Sequence, residues 1–281
     1  MIFYLEKYHK VETMRKIAFY GKGGIGKSTS CANICAALSV LGEKVLQIGC
    51  DPKHDSCRTL MGDFIPTVLD TWREKNKLKK EDILFRGFNG VHCLEAGGPV
   101  PGMGCAGRGV VKTMEILDEL DLFEYDYDYI FFDVLGDVVC GGFAKPIQVG
   151  YAEDVYIVTS GEFMSLYAAN NIAFALNSMA GKRNVKLCGV ILNSRNVQYE
   201  YELVQEFCDA INTKLIHCIP RDNAIAQYEK QGKTIIEGDV DANMSKEYFL
   251  LAEKIRKNKN GDIPSPLKFV ELKSLCDKYL E

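Results

Sequence analysis

Residues 21–28 read Gly21-Lys22-Gly23-Gly24-Ile25-Gly26-Lys27-Ser28. An apolar run, Ile17–Tyr20, precedes them, and a helix-compatible run from Lys27 to about Leu41 follows. Strand, glycine-rich turn and helix N-terminus form the context in which backbone amides surround phosphate oxygens. Gly21, Gly23, Gly24 and Gly26 permit the tight turn, with amides that can point at phosphate oxygens. Lys27 is placed to reach the β- and γ-phosphates, and the Ser28 hydroxyl to ligate Mg²⁺. The G-x-x-x-x-G-K-S spacing is complete, so a nucleoside triphosphate is the expected ligand. Lys22 adds a second cation one residue after the first glycine.

Working outward, strands and helices alternate. Strands are expected at Lys44–Ile48, Val91–Leu94, Tyr129–Phe132, Val155–Val158 and Lys186–Leu192, with a short edge-like strand at Lys214–His217. Helices are expected at Pro66–Trp72, 111–120, Glu162–Ser178, Val197–Ala210, Ser245–Arg256 and Lys268–Tyr279. This alternation predicts an α/β fold of the P-loop NTPase kind, its mostly parallel sheet covered by helices on both faces. One domain over residues 14–281 is the simplest division, with residues 1–13 a short N-terminal extension ahead of Met14.

The 281 residues are 47% hydrophobic and 26% charged, with a net charge of −4, which is ordinary for a soluble globular chain and lacks the basic balance of a nucleic-acid binder. No apolar run of about 18 residues occurs, and the N-terminus is too charged for a signal-peptide core. A cytoplasmic protein with no membrane and no nucleic-acid partner is expected. Eleven cysteines, an odd number, do not suggest a disulfide framework. Cys31, Cys35, Cys188 and Cys218 read as small buried residues of apolar elements and not as ligands.

Acidic residues stand where strands should end. Gly49–Asp55 reads GCDPKHD, and Asp51 and Asp55 are suited to poise a water and to sense Mg²⁺ with the γ-phosphate. Asp133 closes an apolar strand and is followed three residues later by Gly136, a Walker-B-like arrangement. Asp133 can hold Mg²⁺ through water, and the Gly136 amide can sense the γ-phosphate. Two cysteines, Cys105 in GMGCAG and Cys140 in DVVCGG, are flanked by glycine. Small neighbours leave amides free to donate to sulfur, which suits an iron–sulfur cluster. Two thiolates are too few for a four-iron cluster, but a two-fold homodimer would supply four. Buried thiols, or a zinc site bridging a dimer, are the other readings of the pair.

Taken together, GKGGIGKS, GCDPKHDS, GGPVPGMGCAGRGV, DVLGDVVCGGFA, YAANNI, NSRN and PRDN resemble the nitrogenase iron protein family. This family of ATP-dependent electron donors includes the L subunit of dark-operative protochlorophyllide reductase. The resemblance covers essentially the whole chain after Met14. It implies that Cys105 and Cys140 are the two ligands each subunit gives to one bridging [4Fe–4S] cluster. It implies a cross-subunit role for Lys22, and phosphate and Mg²⁺ contacts for Gly23, Gly24, Gly26, Lys27, Ser28 and Thr29. Asp51 matches the residue assigned to water activation, Asp55 lies in the first switch segment, and Asp133–Gly136 form the second. Asn193, Pro220, Arg221 and Asp222 match nucleobase-side contacts, with Glu229 a further one. Arg108 matches a docking-face arginine that some bacteria ADP-ribosylate. The implied function is an ATP-hydrolysing reductase component that takes electrons from ferredoxin or flavodoxin and passes them to a larger catalytic partner. Within the family, a true nitrogenase iron protein and the iron proteins of coenzyme F430 or (bacterio)chlorophyll biosynthesis are the alternatives. Outside it, the rival is a positioning or cargo-loading ATPase switch without redox chemistry. Cys57 and Arg58 depart from the family's usual threonine-led continuation after DPKxDS.

Overall fold

The computed structural model describes residues 14–75, 77–99, 106–136, 145–148, 150–181 and 184–279. Strand β1 (Arg15–Tyr20) leads into helix α1 (Lys27–Val40) and strand β2 (Val45–Gly49). Short helices α2 (Arg58–Met61) and α3 (Val68–Lys75) precede β3 (Phe85–Arg86) and β4 (His92–Glu95). Helix α4 (Ala106–Glu119), β5 (Tyr129–Asp133), α5 (Lys145–Gln148) and β6 (Asp154–Thr159) follow. The chain then runs through α6 (Phe163–Met179), β7 (Lys186–Asn193), α7 (Glu200–Ala210) and β8 (Leu215–Ile219). It closes with α8 (Asn223–Lys230), α9 (Ile235–Gly238), α10 (Asn243–Lys257) and α11 (Phe269–Asp277).

The eight strands form one sheet in the order β3-β4-β2-β5-β1-β6-β7-β8. Every pairing is parallel except β3 with β4. Parallel strands buried on both faces read as continuous apolar runs, and all five residues of β5, Tyr129-Ile130-Phe131-Phe132-Asp133, are buried. Successive side chains leave a strand on opposite faces. Phe131 accordingly joins the core with Phe19, Tyr156, Ile34 and Leu38 of α1, and Tyr248 and Leu251 of α10. Ile130 and Phe132 join the opposite core, with Met114 and Leu117 of α4, Leu166 of α6, Phe207 of α7 and Leu272 of α11. Each fully buried side chain of this size contributes on the order of 2 kcal/mol, so the order of β1, β5 and β6 is fixed from both sides.

This layering sets the site. β1 lies at the centre, paired with β5 and β6, and the C-terminal ends of β1, β2, β5 and β7 open on one edge of the sheet. Open α/β sheets gather ligand groups at that edge. The expected strands are present to within a residue or two. The helix expected over 111–120 begins earlier, at Ala106, inside the glycine-rich run. Helix α8 and the two-residue antiparallel edge strand β3 are additions to the expected elements.

Candidate functional site at the C-terminal edge of the sheet

The phosphate loop leaves β1 and enters α1 without a side-chain cap. Gly26 sits at φ 92°, a left-handed conformation that L side chains rarely adopt. A Cβ there would also stand 2.3 Å from Asn193 Nδ2. That amide donates to the Ile25 carbonyl at 2.6 Å, and Arg195 Nη2 donates to the Gly24 carbonyl at 2.5 Å. The end of β7 thus braces the outer arm of the loop.

Beneath the loop lies a buried ion pair. Lys27 Nζ donates to Asp133 Oδ1 at 2.6 Å, with the two side chains only 5% and 0% exposed. Burial disfavours the ammonium, but Asp133, helped by Asp51, overrides that and raises the Lys27 pKa above its ordinary value. The other Asp133 oxygen accepts a hydrogen bond from the Ser56 hydroxyl. One carboxylate therefore ties together the phosphate loop, the end of β5 and the segment after β2. Gly136 closes the arrangement. A Cβ there would lie 2.3 Å from the Gly21 carbonyl oxygen and 2.5 Å from its nitrogen. The residues after Asp133 thus run backbone to backbone against the start of the loop.

Asp51 is buried beside this group, its Oδ1 accepting from the Lys53 amide at 3.0 Å. Asp55 is exposed and, with Ser28, Thr29, Ser56, Arg58, Thr59 and Glu229, lines a cavity of about 210 Å³. There the Thr29 hydroxyl donates to Glu229, and Arg58 Nη1 donates to the Glu229 carbonyl at 2.8 Å. Lys22, Gly23, Gly24, Ile25, Glu162, Arg195 and Arg221 line a second cavity of about 450 Å³ on the other side of the loop. Three cations converge on it, which suits a polyanion. The outer arm of the loop thus lines a cavity rich in cations, and its helical end lines one rich in hydroxyls and carboxylates.

The structure therefore brings together Lys22, Gly23, Gly24, Lys27, Ser28, Thr29, Asp51, Asp55, Asp133, Gly136, Asn193, Arg221 and Glu229. Pro220 is exposed and lines neither cavity, and Asp222 is engaged in capping α8, accepting from the Ala224 amide at 2.7 Å. Arg108 is exposed in the first turn of α4 and lines neither cavity. Cys105 and Cys140 lie outside the described residues. Among the described residues, no group of three or more histidines, cysteines or carboxylates is arranged to hold a metal ion, and no helix is long and apolar enough to cross a membrane. Nine described cysteines are free; Cys31, Cys35 and Cys188 are buried as expected, whereas Cys218, expected to be buried with them, is only partly buried near the end of the outermost strand β8.

Sequence reasoning passed over Ser56 and Arg195, though both lie in the stretches GCDPKHDS and NSRN that were singled out. It also passed over Glu95, the last residue of β4. Glu95 is 1% exposed, and burial pushes its carboxyl up to about 8 despite a hydrogen bond from the Cys57 amide. Nothing in its sequence neighbourhood signals that burial.

A family model described as "4Fe-4S iron sulfur cluster binding proteins, NifH/frxC family" matches residues 15–281. The nitrogenase iron protein of Methanospirillum hungatei is 51% identical over 272 residues, covering 95% of this chain and 96% of that protein. Nitrogenase iron protein 2 of Paenibacillus durus is 49% identical over 268 residues, covering 95% and 92%. Among solved structures, the septum site-determining protein MinD from Pyrococcus horikoshii, complexed with Mg-ADP, superposes with a TM-score of 0.68 at 22% identity, covering 87% of this chain and 97% of that one. MinD from Aquifex aeolicus gives 0.65 at 24% identity, covering 88% and 99%. At those identities the likeness speaks for the fold alone, the α/β P-loop NTPase fold with a mostly parallel sheet between two helical layers.

Proposed function

The chain belongs to the 4Fe–4S iron–sulfur cluster binding proteins of the NifH/frxC family, and on that premise we propose that it is the ATP-driven reductase component of a two-part electron-transfer system. In this reading residues 14–281 form one domain, and two copies make a homodimer. Ferredoxin or flavodoxin reduces the dimer, and a larger catalytic component accepts its electrons. The likeness to nitrogenase iron proteins at about half identity favours a nitrogenase-type partner over the tetrapyrrole pathways.

The observation that carries the reading is the buried group of Lys27, Asp133 and Ser56. A lysine bonded to a strand-end carboxylate has a reason to exchange partners once a more strongly charged anion arrives. With MgATP in the loop, Lys27 would meet β- and γ-phosphate oxygens and the Ser28 hydroxyl would hold Mg²⁺. Asp133 is the residue that would hold Mg²⁺ through water, and its bonds to Lys27 and Ser56 are the ones that role would compete with. Asp51, buried beside Lys27, is the candidate to orient the attacking water, with Asp55 sensing Mg²⁺ from the smaller cavity. Gly136 packs on Gly21, so displacement of the loop passes directly into the segment after β5. Lys22 faces the cation-rich cavity, where a partner subunit's nucleotide would complete the site. Asn193, Arg195 and Arg221 hold the loop and the nucleoside side.

The donor set suits a bridging [4Fe–4S] cluster. Two glycine-flanked thiols per chain, Cys105 and Cys140, make four per pair of chains, the number such a cluster takes. When bound, the cluster supplies the one-electron redox chemistry. Arg108, exposed at the start of α4, fits a docking face for the larger component.

Anaerobic purification followed by iron and sulfide analysis and sedimentation tests the reading. It expects a brown dimer with about four irons per pair of chains. A colourless protein without sulfide that still dimerises with ATP would favour a positioning ATPase instead.

A further inference from the structure

Glu95 pairs with Gly49 across strands β4 and β2. Its carboxylate lies over the bare face of that glycine, where a Cβ would stand 1.9 Å from Oε2. Oε2 itself is buried without a hydrogen-bond partner among the described residues. Oε1 accepts from the Cys57 amide at 2.6 Å. An acid placed here with half its hydrogen-bonding capacity unused is costly, so the bond it does make calls for a function.

That bond reaches the segment next to Asp133. Ser56 and Cys57 are held from three strands at once. Ser56 donates its hydroxyl to Asp133 of β5, and its carbonyl accepts from Gln47 Nε2 of β2 at 2.8 Å. Cys57 is held by Glu95 of β4, and its thiol points at the Leu94 and Gln47 carbonyls at 3.6 and 3.8 Å. Only the Ser56 contact leads into the nucleotide site. Glu95 is what β4 contributes to the place of residue 57, the neighbour of the serine that reaches Asp133.

We propose that Glu95 is a positioning residue for nucleotide turnover, holding Cys57, and through it Ser56, in the place from which Ser56 engages Asp133. The proposal rests on the reading above in taking residues 51–57 as the segment that responds to nucleotide. What matters is the reach of an acceptor to the Cys57 amide. A glutamine keeps that acceptor, and burial already favours the uncharged acid that glutamine imitates. An aspartate keeps the carboxylate but falls one methylene short.

The test compares full-length wild type with E95Q, E95D and E95A by hydrogen exchange over residues 51–60, with and without MgATP, and by steady-state ATP hydrolysis. E95Q is expected to exchange and turn over within about twofold of wild type. E95D and E95A are expected to lose about tenfold of the protection in that segment, to lose its response to MgATP, and to lower kcat about tenfold with KM little changed, the effect of one buried hydrogen bond to a carboxyl group. Wild-type-like protection in E95A, or damage in E95Q with E95D spared, would overturn the proposal. If E95A does not fold, the contrast between E95D and E95Q still decides. Wild-type protein that bound MgATP without hydrolysing it would count against the proposed function, while the exchange comparison would still decide the role of Glu95.

Discussion

Two buried or nearly buried ion pairs stand at opposite edges of the centre of the sheet, one joining β1 to β6 and the other α1 to β5, and they do different work. At the N-terminal edge, Arg15 at the start of β1 meets Asp154 at the start of β6. Its remaining donors go to the main-chain carbonyls of Ile255 at 2.6 Å and Asn258 at 3.0 Å, and Lys186 adds a second cation to Asp154 at 3.2 Å. Backbone acceptors at the end of α10 give this pair nowhere to go. At the C-terminal edge, Lys27 and Asp133 are held by each other and by a serine hydroxyl from a neighbouring loop, beside two cavities. The first pair is a clasp between layers, the second an arrangement whose partners can be exchanged. Burial alone does not distinguish them. The surroundings do.

Lys27→Ala breaks the second pair and has the largest expected effect. ATP hydrolysis falls by about 100-fold or more, as for loss of a charge that faces developing phosphate charge. Asp133 is left buried without its cation, which costs about 3–5 kcal/mol in denaturant unfolding. If turnover survived, Lys27 would be only a second clasp. Gly136→Ala is next. The new methyl would press on the Gly21 backbone, a clash expected to lower kcat about tenfold through about 1–3 kcal/mol of overpacking. Kinetics beside a thermal melt would show the loss of turnover exceeding the loss of fold. Arg15→Ala sharpens the contrast from the other side. It is expected to destabilise by about 2–3 kcal/mol through lost charged hydrogen bonds and to leave kcat and KM unchanged.

A smaller effect belongs to pH. Glu95 has a carboxyl raised to about 8, by burial first and then by the nearby charges of Asp133 and Asp55, against the opposing hydrogen bond from Cys57. The folded state therefore holds this proton more tightly than the unfolded chain. The stability it contributes is fully present below the usual glutamate pKa and is lost as pH rises through about 8. E95Q has no such proton, so its unfolding free energy should decline less steeply than that of wild type between about pH 4.5 and 8. Identical slopes would mean that Glu95 titrates normally.

The sequence carried the fold further than it carried the site. GKGGIGKS, preceded by an apolar strand and followed by a helix, marked β1 and α1, and the apolar runs ending in Asp133 and Asn193 marked β5 and β7. Two residues, Phe85 and Arg86, are too few to show a strand pattern, so the antiparallel edge was not legible. Helix α4 starts inside a glycine-rich run that local propensity reads as loop. Within the site, motif positions such as Lys27, Asp51 and Asp133 were legible because phosphate chemistry dictates their spacing. Glu95 was not, because its burial depends on Gly49 and Cys57, which only the parallel pairing of β2 with β4 and the return of the chain after β2 bring to it. Arg15 opposite Asp154 was hidden for the same reason.

The most direct test of the account mixes the reduced, anaerobically purified protein with the larger catalytic component and follows its visible absorption with MgATP, with MgADP and without nucleotide. Oxidation is expected with MgATP alone, and its loss in Lys27→Ala. Oxidation at the same rate without nucleotide, or the absence of any reducible chromophore, would contradict it.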